Sequence, residues 1–292
     1  MKTPVVHVTF TNGIGNNLFQ FIYARLLAES HFGVVSTSIP DDAKYVINDF
    51  MRLGINLEKH PASGLPVVGI DDKNASTKFY TKEFDHNDFK LRGYFEDYRL
   101  YVNWRDQIKS WFTTVEKTNK NDLVFHLRLG DRLFRKVHYQ PGMKVNPSQY
   151  VNAINRFEFD RLHVVTDMKS WEVLTEENLS KMSFHTLGIG GKELLGTDKF
   201  AGYQIAVDYF NSVFEMLNKF EPVVRYNQSC SNDINYIRSF NKILFQHSTL
   251  AWWAAFISCA REVGVYGPWR PAKGKRNKNL SQVGLPGWFT WF

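Results

Sequence analysis

Apolar residues along this chain fall first in short β-branched runs and then at helical spacing, and the alternation recurs in both halves. Residues 5–10 (Val-Val-His-Val-Thr-Phe) form a compact run that reads as a strand. Thr11-Asn12-Gly13-Ile14-Gly15-Asn16-Asn17 follows as a turn. Leu18, Phe19, Ile22, Leu26 and Leu27 then recur at helical spacing as far as Gly33, a helix stop. A strand, a glycine loop and a helix make the opening unit of a Rossmann-like sheet. Residues 36–90 are polar and turn-rich, with no clear periodicity. Residues 103–116 predict a helix with Trp104, Ile108, Trp111 and Phe112 on one face.

A polar stretch, Thr118-Asn119-Lys120-Asn121, reads as a linker, and a second series begins beyond it. Strands are expected over residues 123–128, 162–166, weakly around Phe184, 243–246 and 263–266. Helices are expected over 207–220 and 249–260, the latter apolar throughout. Strands alternating with helices in both halves predict parallel sheets covered on two faces. The expected division is an N-terminal domain over 1–117, a C-terminal domain over 118–270 and a tail over 271–292, with Trp288 and Trp291 packing back on the first domain.

Composition narrows the class. With 292 residues, 43% hydrophobic and 22% charged, the chain has ordinary globular usage and can bury a sizeable core. Two cysteines, Cys230 and Cys259, are too few for a disulfide framework, and Cys259 in its apolar run reads as a buried thiol. No apolar segment approaches the ~18 residues of a membrane span, and no leader pattern opens the chain, so a soluble, cytoplasmic protein is expected. The net charge of +7 suits an anionic partner such as a nucleotide sugar. The one dense basic cluster, Lys273, Lys275, Arg276 and Lys278, reads as a solvated loop, and no nucleic-acid module accompanies it.

Three elements carry chemistry. In the Gly13-Ile14-Gly15-Asn16-Asn17 loop, glycines permit a sharp turn and close backbone approach, and the following helix presents free N–H groups; a plain tight turn reads equally well. The loop lacks the third glycine of a dinucleotide fingerprint and the Lys-Ser/Thr of a phosphate loop. In His126-Leu127-Arg128-Leu129-Gly130-Asp131, strand alternation sets His126 and Arg128 on one face at the carboxyl end, where ligands bind in open α/β sheets. Arg128 offers a planar fork for a phosphate, with Asp131 a candidate to orient it; a surface Arg–Asp pair is the plainer alternative. In His247-Ser248-Thr249, the two hydroxyls opening an apolar helix either cap it or seat a diphosphate. Trp252 and Trp253 are expected in the core.

Together these elements resemble the alpha-1,2-fucosyltransferase family. Gly13-Ile14-Gly15-Asn16-Asn17-Leu18-Phe19-Gln20 is similar to its Gly-x-Gly-Asn-Gln-Leu-Phe-Gln opening. The run from Leu91 to Tyr98 is similar to its Gly-Tyr-Phe-Gln segment. His126 to Asp131 resembles the His-x-Arg-Arg-x-Asp signature of fucosyltransferases acting at alpha-1,2 and alpha-1,6 positions. Val165-Thr166-Asp167 followed by Trp171 resembles its Phe-Ser-Asp-Asp…Trp strand end, and Ser248 to Trp253 its Asn-Ser-Thr-Phe-Ser-Trp-Trp block. The five blocks occur in family order over residues 13–255. Leu129 departs from the second Arg, His247 from the Asn before Ser-Thr, and Met168 from the second of two acids.

The resemblance implies an α/β, GT-B-like fold of two Rossmann-like domains with a cleft between them, the first on the acceptor side. It implies an inverting transferase with a GDP-fucose donor, a glycan acceptor and no required metal or other cofactor; the sequence has no Asp-x-Asp. Arg128 is then expected on the β-phosphate, Ser248 and Thr249 on the remaining phosphate oxygens, and His126 against Arg128 or the nucleotide. Asp167 and His247 belong to the nucleotide side, Gly13 and Gly15 to the loop, and Asn16 faces the reacting centre. Asp131 and Asp167 are candidates for the base, though a nucleotide-binding or structural role suits each. Leu129 and His247 leave open another donor such as UDP-xylose, or a non-catalytic glycan- or nucleotide-binding protein.

Overall fold

The computed structural model describes residues 2–11, 13–41, 44–76, 86–117, 121–134, 146–183, 190, 193, 203–246, 248–266 and 289–291. The chain is mixed α/β, and its described residues divide into two compact units, one over 2–114, the other over 115–266 and 289–291. Each carries one all-parallel sheet, of four and of six strands. This is compatible with a two-domain Rossmann-like arrangement. The expected linker residues 118–120 lie outside the described residues.

The first unit runs β1 (Val5–Thr9), α1 (Ile14–Ser30), β2 (Val34–Ser38), α2 (Tyr45–Arg52), β3 (Val67–Asp71), β4 (Asp88–Arg92) and α3 (Arg105–Ser110). Its strand order is β2-β1-β4-β3. Val5, Val6 and Val8 are all buried, as expected of a parallel strand covered on both faces. The turn leaving α1 differs from expectation: Phe32, with φ 52°, takes the left-handed conformation, not Gly33. Gly33 is required for another reason, since a Cβ there would stand 2.7 Å from the Pro4 carbonyl oxygen. The predicted helix over 103–116 shortens to α3, preceded by 3-10 turns at Tyr98–Leu100 and Val102–Trp104.

Asp88 ties this sheet together. It is fully buried, and its Oδ1 accepts from Val5 N at 2.8 Å and Ser63 Oγ at 2.7 Å, while Oδ2 accepts from Ser63 N at 3.1 Å. One carboxylate thus joins the start of β1, the start of β4 and the segment before β3.

The second unit runs β5 (Leu123–Leu127), α4 (Pro147–Ile154), β6 (Leu162–Thr166), α5 (Glu176–Lys181), α6 (Tyr203–Asn218), β7 (Val223–Arg225), α7 (Cys230–Arg238), β8 (Lys242–Gln246), α8 (Thr249–Ile257), β9 (Glu262–Tyr266) and β10 (Phe289–Trp291). The order is β10-β9-β8-β5-β6-β7. Every residue of β5 is buried. Helix α8 is buried from Ala251 to Ile257, with Trp252 stacked on Phe256 at 4.8 Å. A helix apolar all round belongs inside the protein, and Trp252 and Trp253 are core residues as expected.

Neither cysteine forms a disulfide, and Cys259 is exposed, not buried: α8 ends at Ile257, so the thiol lies beyond the apolar run. Of the tail, Phe289–Trp291 pairs with β9 in the second sheet. The rest of the tail, Phe184 and the basic cluster at 273–278 lie outside the described residues. Among the described residues, no helix is long and apolar enough to cross a membrane.

Replacing Asp88 by Ala leaves the Val5 amide and the Ser63 donors without their acceptor inside the protein. The expected loss is about 2–4 kcal/mol, since each hydrogen bond to a buried charged group is worth roughly 1.5–3 kcal/mol. Chemical denaturation of the variant measures it.

Candidate functional site

In the second sheet the chain moves outward from β5 through β6 and β7, then returns to the other side of β5 with β8, β9 and β10. The strand order therefore reverses between β5 and β8. Ligands in open parallel sheets bind outside the carboxyl ends of the strands at such a reversal. Three expected site residues leave strands at this edge: Arg128 after β5, Asp167 after β6 and Ser248 after β8. The register aligns Leu127 with Thr166 and His126 with Phe245, so the three strands end at nearly the same level.

Arg128 is paired with Asp167: Nη1 donates to Oδ2 in a close ion pair. The other oxygen, Oδ1, accepts from the Leu129 amide at 2.8 Å. Asp167 is thus a carboxylate partner of Arg128, a pairing the sequence did not single out; the expectation there was Asp131. Asp131 lies in the short turn Gly130–Leu133, its side chain outside the described residues. Gly130 has φ 21°, and a Cβ there would collide with the Asp167 carboxylate, so the turn folds around that group. Leu129, which replaces the second Arg of the resembled signature, is buried in the hydrophobic cluster with Leu133, Phe134 and Tyr150.

His126 is buried in β5, 3% exposed, and its Nδ1 has no hydrogen-bond partner among the described residues. Burial drives its pKa down to about 3, with the charges of Arg128 and Arg132 adding to the effect. The ring is therefore neutral at pH 7 and can accept a hydrogen bond beside the guanidinium without adding positive charge. Ser248 caps α8: its hydroxyl accepts from Ala251 N at 3.3 Å. Capping turns the helix's first amides and the positive end of its dipole toward the carboxyl edge. Thr249, partly buried, opens the helix; His247 lies outside the described residues.

The remaining expected residues lie on the first unit. Gly13 is the N-cap of α1 with an ordinary extended backbone (φ −63°, ψ 163°), and nothing lies within 4 Å of where its Cβ would stand. Neither a sharp turn nor crowding within the chain requires a glycine there. Gly15 and Asn16 follow in the first turn of α1, Gly15 buried and Asn16 partly buried. The Asn17 side chain accepts from Thr11 N at 3.3 Å and closes the loop.

Residues beyond the expected set gather at the carboxyl edge of the first sheet. Gln20 donates from Nε2 to the Gly93 carbonyl at 3.0 Å, and Asp72, just past β3, accepts from Phe95 N at 2.6 Å. Glu96, beside them, has its pKa raised to about 7 by burial and by the Asp72 charge. Its only mark in the sequence is an acid following a strand end and an aromatic pair.

No model of a known protein family matches the chain, and a search of curated proteins finds no significant match.

The His126 shift has a stability consequence. An unfolded His takes a proton near pH 6.5, whereas the folded one does so only near 3. Between those values the unfolded state binds more protons, so stability falls as pH falls, by about 1.4 kcal/mol per pH unit. From pH 7 to pH 5 this group accounts for about 2 kcal/mol of lost stability. A His126→Phe variant is expected to lose that much less over the same interval in denaturant titrations.

Proposed function

We propose that the chain is an inverting glycosyltransferase of the GT-B kind, moving fucose from GDP-fucose to a hydroxyl of a glycan acceptor without a required metal. The observation that carries this reading is the carboxyl edge of the second sheet. Arg128, aimed by Asp167, and the Ser248-capped end of α8 flank the reversal between β5 and β8. That edge offers what a departing nucleoside diphosphate needs: a permanent cation with a planar fork and the positive end of a helix dipole. Charge grows on the β-phosphate as the glycosidic bond breaks, and donors fixed in advance stabilise it most in the transition state. The five sequence blocks support the same reading. Asn16, at the start of α1, belongs to the acceptor side.

A second reading keeps the reaction and changes the donor to UDP-xylose or another nucleotide sugar. Leu129 favours it, because its burial in the core leaves Arg128 as the one arginine of that signature.

Thermal unfolding with GDP, GDP-fucose, UDP and UDP-xylose separates these readings. A ligand at a hundred times its Kd adds about 2.7 kcal/mol, a rise of several degrees in a chain of this size. A rise with GDP and not UDP supports fucose; the reverse supports the second reading. A rise without turnover of any donor identifies a non-catalytic binder, and no rise removes both transferase readings. Arg128→Ala is expected to lower turnover about 10²–10³-fold, the effect of removing one preorganised transition-state donor. Unchanged turnover in the folded variant contradicts the assignment.

A further inference from the structure

A second polar group stands at the carboxyl edge of the six-stranded sheet, entirely within the second unit. Its first members end two paired strands: Gln246 closes β8 and Tyr266 closes β9, side by side in register. Gln149 and Tyr150 come from the start of α4, and Tyr209 from α6. The three tyrosines belong to the core cluster on the sheet face that also holds Leu127 and Leu244. The Tyr150 ring packs against Phe125 of β5 at 5.7 Å and against Tyr266 at 5.6 Å. Gln246 is half-buried and Gln149 exposed.

Hydrogen bonds fix which way both glutamines face. The Tyr150 hydroxyl donates to Gln246 Oε1 at 3.2 Å, and the Tyr266 hydroxyl donates to Gln149 Oε1 at 2.8 Å. A hydroxyl carries one proton, so in the 3.0 Å contact between the Tyr150 and Tyr209 hydroxyls the donor is Tyr209. A carboxamide carries its acceptor and its donors on opposite sides. With each oxygen taken by a phenol, each –NH2 group turns away from the phenol that holds it. Among the described residues, no hydrogen bond engages Nε2 of Gln246 or of Gln149. Two carboxamides braced by buried tyrosines thus offer N–H donors at this edge. Ser248, the cap of α8, follows Gln246 by two residues.

We infer that Gln246 and Gln149 bind the sugar of the donor by hydrogen bonds from their carboxamides to its oxygens. The inference rests on the nucleotide-sugar reading of the same edge and names residues that select the sugar. A diphosphate between Arg128 and the first turn of α8 carries a nucleoside at one end and a sugar at the other. The two ends extend in opposite directions along the edge, so one of them comes to the β8–β9 side. The tyrosine rings decide which. A base binds by laying its face on an aromatic ring, and Tyr150, Tyr209 and Tyr266 are only 1%, 9% and 8% exposed. What remains on offer is hydrogen-bond donors, which match the hydroxyls and ring oxygen of a sugar. Because the tyrosines already hold the glutamines in place, little side-chain freedom is lost when a ligand arrives.

The test is titration calorimetry of GDP, GDP-fucose, UDP and UDP-xylose into the wild-type chain, Gln246→Glu and Gln149→Glu. A glutamate still accepts from the tyrosine hydroxyl but has no N–H to donate, and its added charge acts on nucleotide and nucleotide sugar alike. The readout is therefore the ratio of the Kd of the bare nucleotide to that of its sugar-bearing form. Two uncharged hydrogen bonds to the sugar are expected to make the wild-type ratio about 10. Each variant is expected to lower it about 3-fold or more. A merely structural glutamine changes the unfolding temperature of the unliganded protein and leaves the ratio where it was. Gln246→Met and Gln149→Met, which add no charge, are held to the same criterion. A wild-type ratio of 1, or a ratio unchanged in variants that still bind the nucleotide, overturns the inference and leaves the transferase reading standing. Equal weakening of nucleotide and nucleotide sugar by the Met variants puts the nucleoside there and overturns it too. Absence of wild-type binding with all four ligands overturns the reading and the inference with it.

Discussion

Arg128 and Asp167 leave neighbouring parallel strands at the same level, and their pairing decides what the turn after β5 can be. One Asp167 oxygen holds the guanidinium and the other holds the Leu129 amide, so the carboxylate fixes side chain and backbone together. Gly130 follows because no Cβ fits against that carboxylate. Leu129 follows because its amide is pinned while its side chain is free to enter the core. A partly exposed ion pair contributes little to stability. Its consequence here is position: the fork of Arg128 is aimed before any ligand arrives, the condition under which a fixed charge is worth most to a transition state.

The same logic governs both sheets. Parallel strands place all their carboxyl ends on one edge, so the residues just past β1, β3 and β4 gather in the first unit and those past β5, β6 and β8 in the second. The opposite edge of the second sheet is polar in a different way. There Asp122 meets His163 Nε2 at 3.0 Å, and His163 Nδ1 meets the Tyr236 hydroxyl at 2.7 Å, a largely buried chain joining β5, β6 and α7. Its members bond one another, while Asp122 Oδ1 keeps no hydrogen-bond partner among the described residues. At the carboxyl edges, His126 Nδ1 and Gln20 Oε1 are likewise buried polar atoms without partners among the described residues.

Legibility followed the range of the forces involved. β1, β5, β6, β8 and β9 are continuous apolar runs, and their sequence patterns place them to within a residue or so. β3 and β4 are not legible in that way. β4 reads Asp-Phe-Lys-Leu-Arg, and what holds its first residue is a set of bonds from Asp88 to Val5, 83 residues away, and to Ser63. The site shows the same division. Arg128 at a strand end is a local pattern and could be named from sequence. Its pairing with Asp167, 39 residues on, is fixed by the β5–β6 register, which the local pattern around Asp131 does not show. Glu96 escaped notice because its character comes from burial in the folded unit and, after that, from Asp72 just past β3. Cys259 was misread because the apolar helix stops two residues before it.

The proposed seat of the nucleoside diphosphate is the carboxyl ends of β5 and β8, between Arg128 and the first turn of α8. Backbone hydrogen exchange with and without GDP, and with UDP as the alternative nucleotide, tests it most directly. Slower exchange is expected at the Leu129 amide and at the amides of residues 249–252 in the presence of the nucleotide that binds. Slowing confined to other segments, or none with either nucleotide, contradicts it.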